Sequence, residues 1–192
     1  MTVKTGVLGV SGYTGQELIK YLLKHPVFQL DYLFSTSITG HYSQIYPEFS
    51  LYELPEVESF DVASCADLDL IFLAVPHTKS MSIVAGLVAN YPSLKIVDLS
   101  ADFRLNDVKQ FEQYYAVNHD APDLINNAVY GLPELYKDEL SKATLCANPG
   151  CYATSIILGA LPIKGFLDQS TPIVIDAKSG VSGAGKSLKE SS

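Results

Sequence analysis

The sequence has no tryptophan, and its 13 basic residues include a single arginine, Arg104. Binding to nucleic acid or to an anionic membrane surface needs clustered Lys and Arg. With 21 acidic residues and a net charge of −8, both partner classes are set aside. Cysteines are scarce too: Cys65, Cys146 and Cys151 form an odd set without the spacing of zinc ligands. Neither a disulfide framework nor a metal site is expected from them. The longest apolar run, around residues 156–163, is too short to span a bilayer. No signal-peptide pattern precedes the first strand, so a soluble cytoplasmic protein is expected. There are no internal repeats or low-complexity linkers. What remains is a globular composition, 47% hydrophobic and 18% charged over 192 residues. That is room for one good core and part of a second domain.

Residues Thr2 to Val10 predict a short apolar strand that runs into Gly9-Val10-Ser11-Gly12-Tyr13-Thr14-Gly15. A helix follows, with Leu18, Ile19, Leu22 and Leu23 on one face, and His25-Pro26 stops it. Strand, glycine turn and helix open a dinucleotide-binding unit. Its glycines let the backbone approach a pyrophosphate, and the helix N-terminus faces that anion. The spacing is GxxGxxG rather than GxGxxG, and a plain strand-to-helix turn shares it, but the context is the one the motif requires. Gly9, Ser11, Gly12, Tyr13, Thr14 and Gly15 are therefore candidate cofactor residues. Phe28 to Phe34 predicts the second strand, leading to Ser35-Thr36-Ser37. An acidic residue at this strand end would hold the ribose 2′-hydroxyl of NAD. Asp31 comes too early, and hydroxyls stand at the end instead. Hydroxyls and backbone N–H groups suit the extra phosphate of NADP; an ordinary Ser/Thr turn has the same appearance.

The acidic, proline-interrupted stretch from Leu51 to Val62 predicts no element. Leu68 to Val75 is a near-continuous apolar run, as in a strand covered on both faces. It delivers Pro76 and His77 to the sheet edge where ligands bind in α/β folds. Met81 to Ala89 reads as helical. His77 is a candidate for catalysis, although lining a cofactor loop is the commoner role. Lys95 to Leu99 predicts the next strand and brings Ser100, Asp102 and Arg104 to the same edge. A lone arginine there suits bidentate recognition of a phosphate or carboxylate. An ion pair with Asp98 or Asp102 accounts for it equally well. Phe111 to Asn127 is aromatic and polar. It leads into Tyr130-Gly131-Leu132-Pro133-Glu134-Leu135, a loop that turns the chain towards the last cysteine.

Ala143 to Ala147 predicts a short buried strand, punctuated by Pro149-Gly150, and from Tyr152 to Leu161 apolar residues recur at helical spacing. Cys151 then sits at a helix start, where free N–H groups favour an anion and the thiolate is the nucleophilic form. A buried cysteine at the helix cap is the alternative. Further on, Pro172 to Ala177 predicts another strand, and Gly180 to Ser187 satisfies the P-loop pattern GxxxxGK[ST]. A P-loop NTPase needs a helix after that loop and a later strand bearing a magnesium-binding acid. Residues 188–192 hold neither, so the nucleoside triphosphatase reading is a minor alternative.

Together GVSGYTG, DLSADFR, YGLPEL, ANPGCYAT and KSGVSGAG, in this order, resemble the N-acetyl-γ-glutamyl-phosphate reductase family. These are NADPH-dependent enzymes of arginine biosynthesis related to aspartate-semialdehyde dehydrogenase. The resemblance implies an α/β protein with an N-terminal Rossmann domain, doubly wound on a mostly parallel sheet, over residues 1–147. Residues 148–192 would begin an α+β substrate and catalytic domain. Cys151 would be the acyl-accepting nucleophile, and the glycines of the first loop would line the pyrophosphate. Ser35, Thr36 and Ser37 would hold the 2′-phosphate, and Pro76 and His77 would follow the cofactor. Residues from Ser179 to Gly183, Gly180 among them, would approach the nicotinamide. Ser100, Arg104 and Asn148 would meet the substrate, Arg104 standing where related semialdehyde dehydrogenases hold the substrate phosphate.

The implied reaction is reductive dephosphorylation of N-acetyl-L-glutamyl 5-phosphate to the 5-semialdehyde through a cysteine thioester. The implied assembly is a homo-oligomer, dimer or tetramer. One departure stands out. The family's acid/base histidine lies in the second domain, whereas His25, His41, His77 and His119 all precede Cys151. A truncated, inactive chain that still binds the dinucleotide is therefore expected, with a Rossmann module that only binds as the alternative.

Overall fold

Successive side chains of a β-strand point to opposite faces of the sheet, so a strand apolar at every position must be covered on both sides. The computed structural model, which describes residues 2–168 and 170–186, has this arrangement. In chain order the elements begin β1 (Val3–Leu8), α1 (Tyr13–Leu22), β2 (Phe28–Ser35), α2 (Tyr42–Ile45), β3 (Val57–Ser59) and β4 (Leu70–Leu73). They continue with α3 (Ser80–Asn90), β5 (Lys95–Asp98), α4 (Val108–Tyr115), β6 (Ala128–Tyr130), α5 (Pro133–Leu140), β7 (Leu145–Ala147) and α6 (Cys151–Ala160). The strands form one parallel sheet in the order β3-β2-β1-β4-β5-β7-β6. Val7 and Leu33 enter a cluster with Ile19 and Leu22 of α1 and Tyr42 of α2. Their neighbours Leu8 and Phe34 enter another with Ile71, Leu73 and, from α3, Val84 and Leu87. The sheet is thus doubly wound, a Rossmann-type core.

The strand order reverses beside β1 and again where β7 inserts between β5 and β6. From β1 the chain moves outward to β2 and β3, then returns to lay β4 on the other side of β1. The loops leaving β1 and β4 diverge there, opening a crevice at the carboxyl ends of the strands, the usual ligand position in such sheets.

Local signals account for both ends of α4. Asp107 caps α4 by accepting the Lys109 N–H at 2.8 Å, and Ala116 closes the helix in the left-handed region at φ 55°. Two short strands, β3 and β6, arise where the sequence predicted no regular element. Each has three residues, and pairing with β2 or β7 supplies the order that so short a pattern cannot. The opposite correction applies to Pro172–Ala177. No strand forms there, and Ile173, Val174 and Ile175 are 62%, 91% and 53% exposed. An apolar run becomes a strand only against a partner edge, and among the described residues none pairs with this one. Helix α6 likewise buries none of its residues.

Replacing Leu73, fully buried between β1 and β5, by alanine is expected to cost about 2–5 kcal/mol in urea unfolding. Val174→Ser, in the exposed segment, is expected to stay within about 0.5 kcal/mol of the parent. A comparable loss at both positions would place residues 172–177 in the core.

Candidate active site

The chain leaves β1 at Leu8, and Gly9 turns it with φ 97°. A Cβ at Gly9 would overlap the carbonyl oxygen of Ala74, so the exits of β1 and β4 can pass this closely only at a glycine. Gly12 then N-caps α1 without a side-chain bond, which leaves first-turn N–H groups for an anion. The crevice here is a cavity of about 500 Å³. Gly9, Ser11, Gly12, Tyr13 and Thr14 line it from the first loop, Thr36 from the end of β2, and Pro76 and His77 from the end of β4. Gly15 stands behind this wall, packed on the Gly9 carbonyl and Val10.

Of the three hydroxyl residues after β2, Thr36 faces the cavity. Ser35 is buried, and its Oγ accepts the Ser37 N–H at 3.1 Å. Ser37 Oγ donates to Ser11 Oγ at 3.1 Å, so Ser11, Ser35 and Ser37 form one hydroxyl cluster at the rim. Asp31 takes a bond from Gln29 Nε2 at 2.7 Å and lies beside Lys4, Tyr32 and Asp67, away from the cavity. From the C-terminal stretch Gly183 lines the cavity, while Ser179 and Gly180 do not. Ser182, inside the expected stretch, lines it with Gly183; Gly185 and Lys186 line it too, beyond the stretch to which the sequence pointed. Residues Val181–Ala184 make a 3₁₀ turn with no strand before them, which is not the strand-loop-helix of a P-loop. Ser187, the last residue of that pattern, lies outside the described residues.

A second pocket, of about 350 Å³, surrounds the cysteine and is lined by Arg104, Leu105, Tyr115, Tyr130 and residues 150–153. Gly150 N-caps α6, Cys151 is its first residue, and the thiol is exposed. Arg104 donates from Nε to the Asn148 carbonyl at 2.7 Å and from Nη2 to the Leu99 carbonyl at 2.8 Å. Neither Asp98 nor Asp102 pairs with it, so the ion-pair alternative is replaced by a guanidinium held on two neutral oxygens. A Cβ at Gly150 would stand 3.1 Å from Nη1, and the glycine thereby admits the cation beside the helix start.

Asn148 contributes that orienting carbonyl, while its side-chain amide donates to Pro149 O at 3.1 Å. Ser100 is turned inward: its Oγ donates to Asp98 Oδ2 at 2.8 Å and lies 2.7 Å from Ser80 Oγ. Of the three expected substrate residues, Arg104 therefore reaches the pocket directly. Tyr115 and Tyr130 line it as well and carry no local sequence signal. Partial burial raises the Tyr130 phenol, with the Arg104 charge pulling the other way.

No described histidine lines the cysteine pocket. His25 Nδ1 accepts the N–H groups of Val27 and Phe28 at 3.2 and 2.9 Å, and His41 meets Glu56 at 3.2 Å. His119 is buried; its Nδ1 accepts from Ala121, which leaves Nε2 to donate to the Asp102 carbonyl at 2.9 Å. His77 belongs to the cavity at the first glycine loop, and its ring stands 5.8 Å from that of Tyr115. That aromatic contact separates the two pockets.

The three thiols differ sharply. Burial pushes Cys65 up to about 11 and raises Cys146, whereas Cys151 is exposed at a helix start. Brief iodoacetamide treatment at pH 7 followed by peptide mapping should find Cys151 alkylated first. Labelling of Cys65 should rise only as pH approaches 11, where its thiolate forms. Equal rates at pH 7 in the folded protein would contradict this ordering.

Two family models match the chain. The semialdehyde dehydrogenase NAD binding domain matches residues 4–143, and the semialdehyde dehydrogenase dimerisation domain matches residues 151–192. The N-acetyl-gamma-glutamyl-phosphate reductase of Afipia carboxidovorans is 45% identical over 191 residues, covering 97% of this chain and 54% of the relative. The protein of that name from Campylobacter hominis is 47% identical over 190 residues, covering 98% and 56%. The chain thus spans about half the length of the curated relatives it matches. Among solved structures, aspartate semialdehyde dehydrogenase with NADP from Candida albicans has a TM-score of 0.57 at 18% identity, over 86% of this chain and 48% of that one. That is a likeness of fold. With the NAD binding domain model matching residues 4–143, well over half of the chain, the chain belongs to the semialdehyde dehydrogenase family.

Proposed function

We propose that the chain carries the dinucleotide site and the nucleophile of an NADPH-dependent N-acetyl-γ-glutamyl-phosphate reductase. One observation carries the reading: Cys151 and the un-neutralised guanidinium of Arg104 face one pocket, at the sheet edge that also bears the dinucleotide cavity. The names of relatives at 45–47% identity support the substrate. Residues 1–147 serve as the dinucleotide domain and residues 148–192 as the start of the substrate domain.

The cavity fits NADPH. Gly9 keeps the loop close to β4, the α1 start offers uncapped N–H groups to a pyrophosphate, and Thr36 with the Ser11 cluster presents hydroxyls where an NAD site has a carboxylate. NADPH, when bound, supplies the hydride that takes the acyl group to the aldehyde level.

Cys151 does the covalent work. Its thiolate adds to the acyl-phosphate carbonyl, and first-turn N–H groups of α6 are placed to steady the oxyanion. The carbonyl re-forms as the carbon–oxygen bond to phosphate breaks, leaving a thioester and inorganic phosphate. Arg104 neutralises charge on the departing phosphate through the N–H groups that Asn148 and Leu99 do not use. A homo-oligomer, dimer or tetramer, in the cytoplasm completes the reading. It is supported by the dimerisation-domain match and by the exposed Phe166, Ile173 and Val174.

General acid–base help is typically worth about 10²–10⁴-fold, and no described histidine faces Cys151. With N-acetylglutamyl phosphate the 192-residue chain is therefore expected to acylate slowly, without steady turnover. Intact-mass analysis should show one acyl adduct, absent from Cys151→Ala; an adduct retained by that variant would overturn the nucleophile assignment. Fluorescence titration should show NADPH binding more tightly than NADH. Thr36→Asp, which sets a carboxylate at the β2 end, should reverse the order. Tighter NADH binding by the parent chain would refute the NADPH assignment.

A further inference from the structure

The GxxxxGK pattern ends on a lysine that neither the first glycine loop nor the cysteine pocket accounts for. In the fold Lys186 reaches back to the dinucleotide cavity. Its Nζ donates to the Ser11 carbonyl at 2.8 Å and to Tyr46 Oη at 3.0 Å. The ammonium lies 4.4 Å from the centre of the Tyr46 ring and 5.5 Å from that of Tyr13, so two aromatic rings hold it electrostatically. Tyr46 Oη in turn donates to the same Ser11 carbonyl at 3.0 Å.

Three features point to an anion. An ammonium has three N–H donors, and two are used here. Among the described residues no carboxylate comes within ion-pair distance of it. Among those that line the cavity, Lys186 is the one Lys or Arg. The residue it grips, Ser11, is also the hub of the hydroxyl cluster with Ser35 and Ser37 at the end of β2. A cation on the same cavity as Ser11 and Thr36, with no acid at the strand end, suits a compact dianion. A neutral ribose diol would leave the ammonium without a counter-charge. A phosphate monoester on the adenosine ribose has the required chemistry, and Lys meets phosphate as a point charge on a flexible stem.

We infer that Lys186 is a specificity residue, the cation that selects the 2′-phosphate of NADPH. The inference rests on the NADPH reading and deepens it. The lysine of the apparent P-loop keeps a phosphate as its partner, but the cradle belongs to the first glycine loop and the end of β2.

The test uses the full 192-residue chain and its Lys186→Gln and Lys186→Arg variants, titrated with NADPH and NADH at fixed ionic strength. Loss of one charge-assisted contact should weaken NADPH binding by about 10- to 100-fold in Lys186→Gln. NADH binding should stay within about twofold in the same protein, which also shows that the variant is folded. Lys186→Arg should retain most of the NADPH affinity. Equal weakening of both dinucleotides, or no weakening of either, would overturn the role of Lys186 while leaving the NADPH reading intact. A parent chain that binds neither dinucleotide, or prefers NADH, would overturn both.

Discussion

A single buried carboxylate ties the two pockets together. Asp102, fully buried just after β5, accepts the Thr78 N–H at 2.6 Å on one oxygen and the N–H groups of Ser80 and Met81 at 3.1 and 3.3 Å on the other. It therefore caps α3 from a distant loop, in place of the residue that precedes the helix. The same bonds hold Thr78 at φ 68°, a conformation that a β-branched residue adopts only when its surroundings impose it. Thr78 follows Pro76 and His77, which face the cavity at the glycine loop, and two residues beyond Asp102 stands Arg104, which lines the pocket of Cys151. Beneath this junction Asp98 shares the Ser80 hydroxyl. Burial raises its carboxyl, and bonds from Ser100 and Ser80 pull it back.

The arginine is positioned with similar economy. Leu99 and Asn148 leave the ends of neighbouring strands, β5 and β7, which pair through Asp98 and Ala147. A guanidinium is a rigid fork, so binding the two carbonyls at once sets both its place and its plane. A lysine would offer one nitrogen and no such plane. Because the carbonyls are neutral, the charge is oriented without being cancelled, and an anion in the cysteine pocket meets it in full. Gly150 makes room for it at the start of α6, where the uncapped helix end acts on the same space.

Burial falls away from this edge towards the C-terminal part. The sheet and its two apolar clusters hold the glycine loop and the arginine on rigid strand ends. Beyond them α6 has no buried residue, and the apolar segment around Val174 faces solvent. The stretch that carries Lys186 contributes to the cavity through polar contacts and two aromatic rings rather than through a core of its own. Backbone from distant parts of the chain meets at this cavity: the first glycine loop, the ends of β2 and β4, and the stretch that carries Lys186.

By itself the sequence determined what depends on neighbours along the chain. Apolar runs placed β1, β2, β4 and β5; glycine spacing placed the turn before α1; and Pro149-Gly150 before a helical pattern placed Cys151 at a helix start. Each follows from local sterics and periodicity. The tertiary structure alone decided what depends on a partner elsewhere. Val57–Ser59 and Ala128–Tyr130 became strands because an edge was there to pair with, and Pro172–Ala177 did not become one among the described residues for want of such an edge. Arg104 found carbonyls rather than the nearby Asp98 and Asp102, Ser100 turned inward to Asp98, and Tyr115 and Tyr130 came to the cysteine. Lys186 met Ser11 across 175 positions, a proximity that no local pattern encodes because only the closed fold brings the two together.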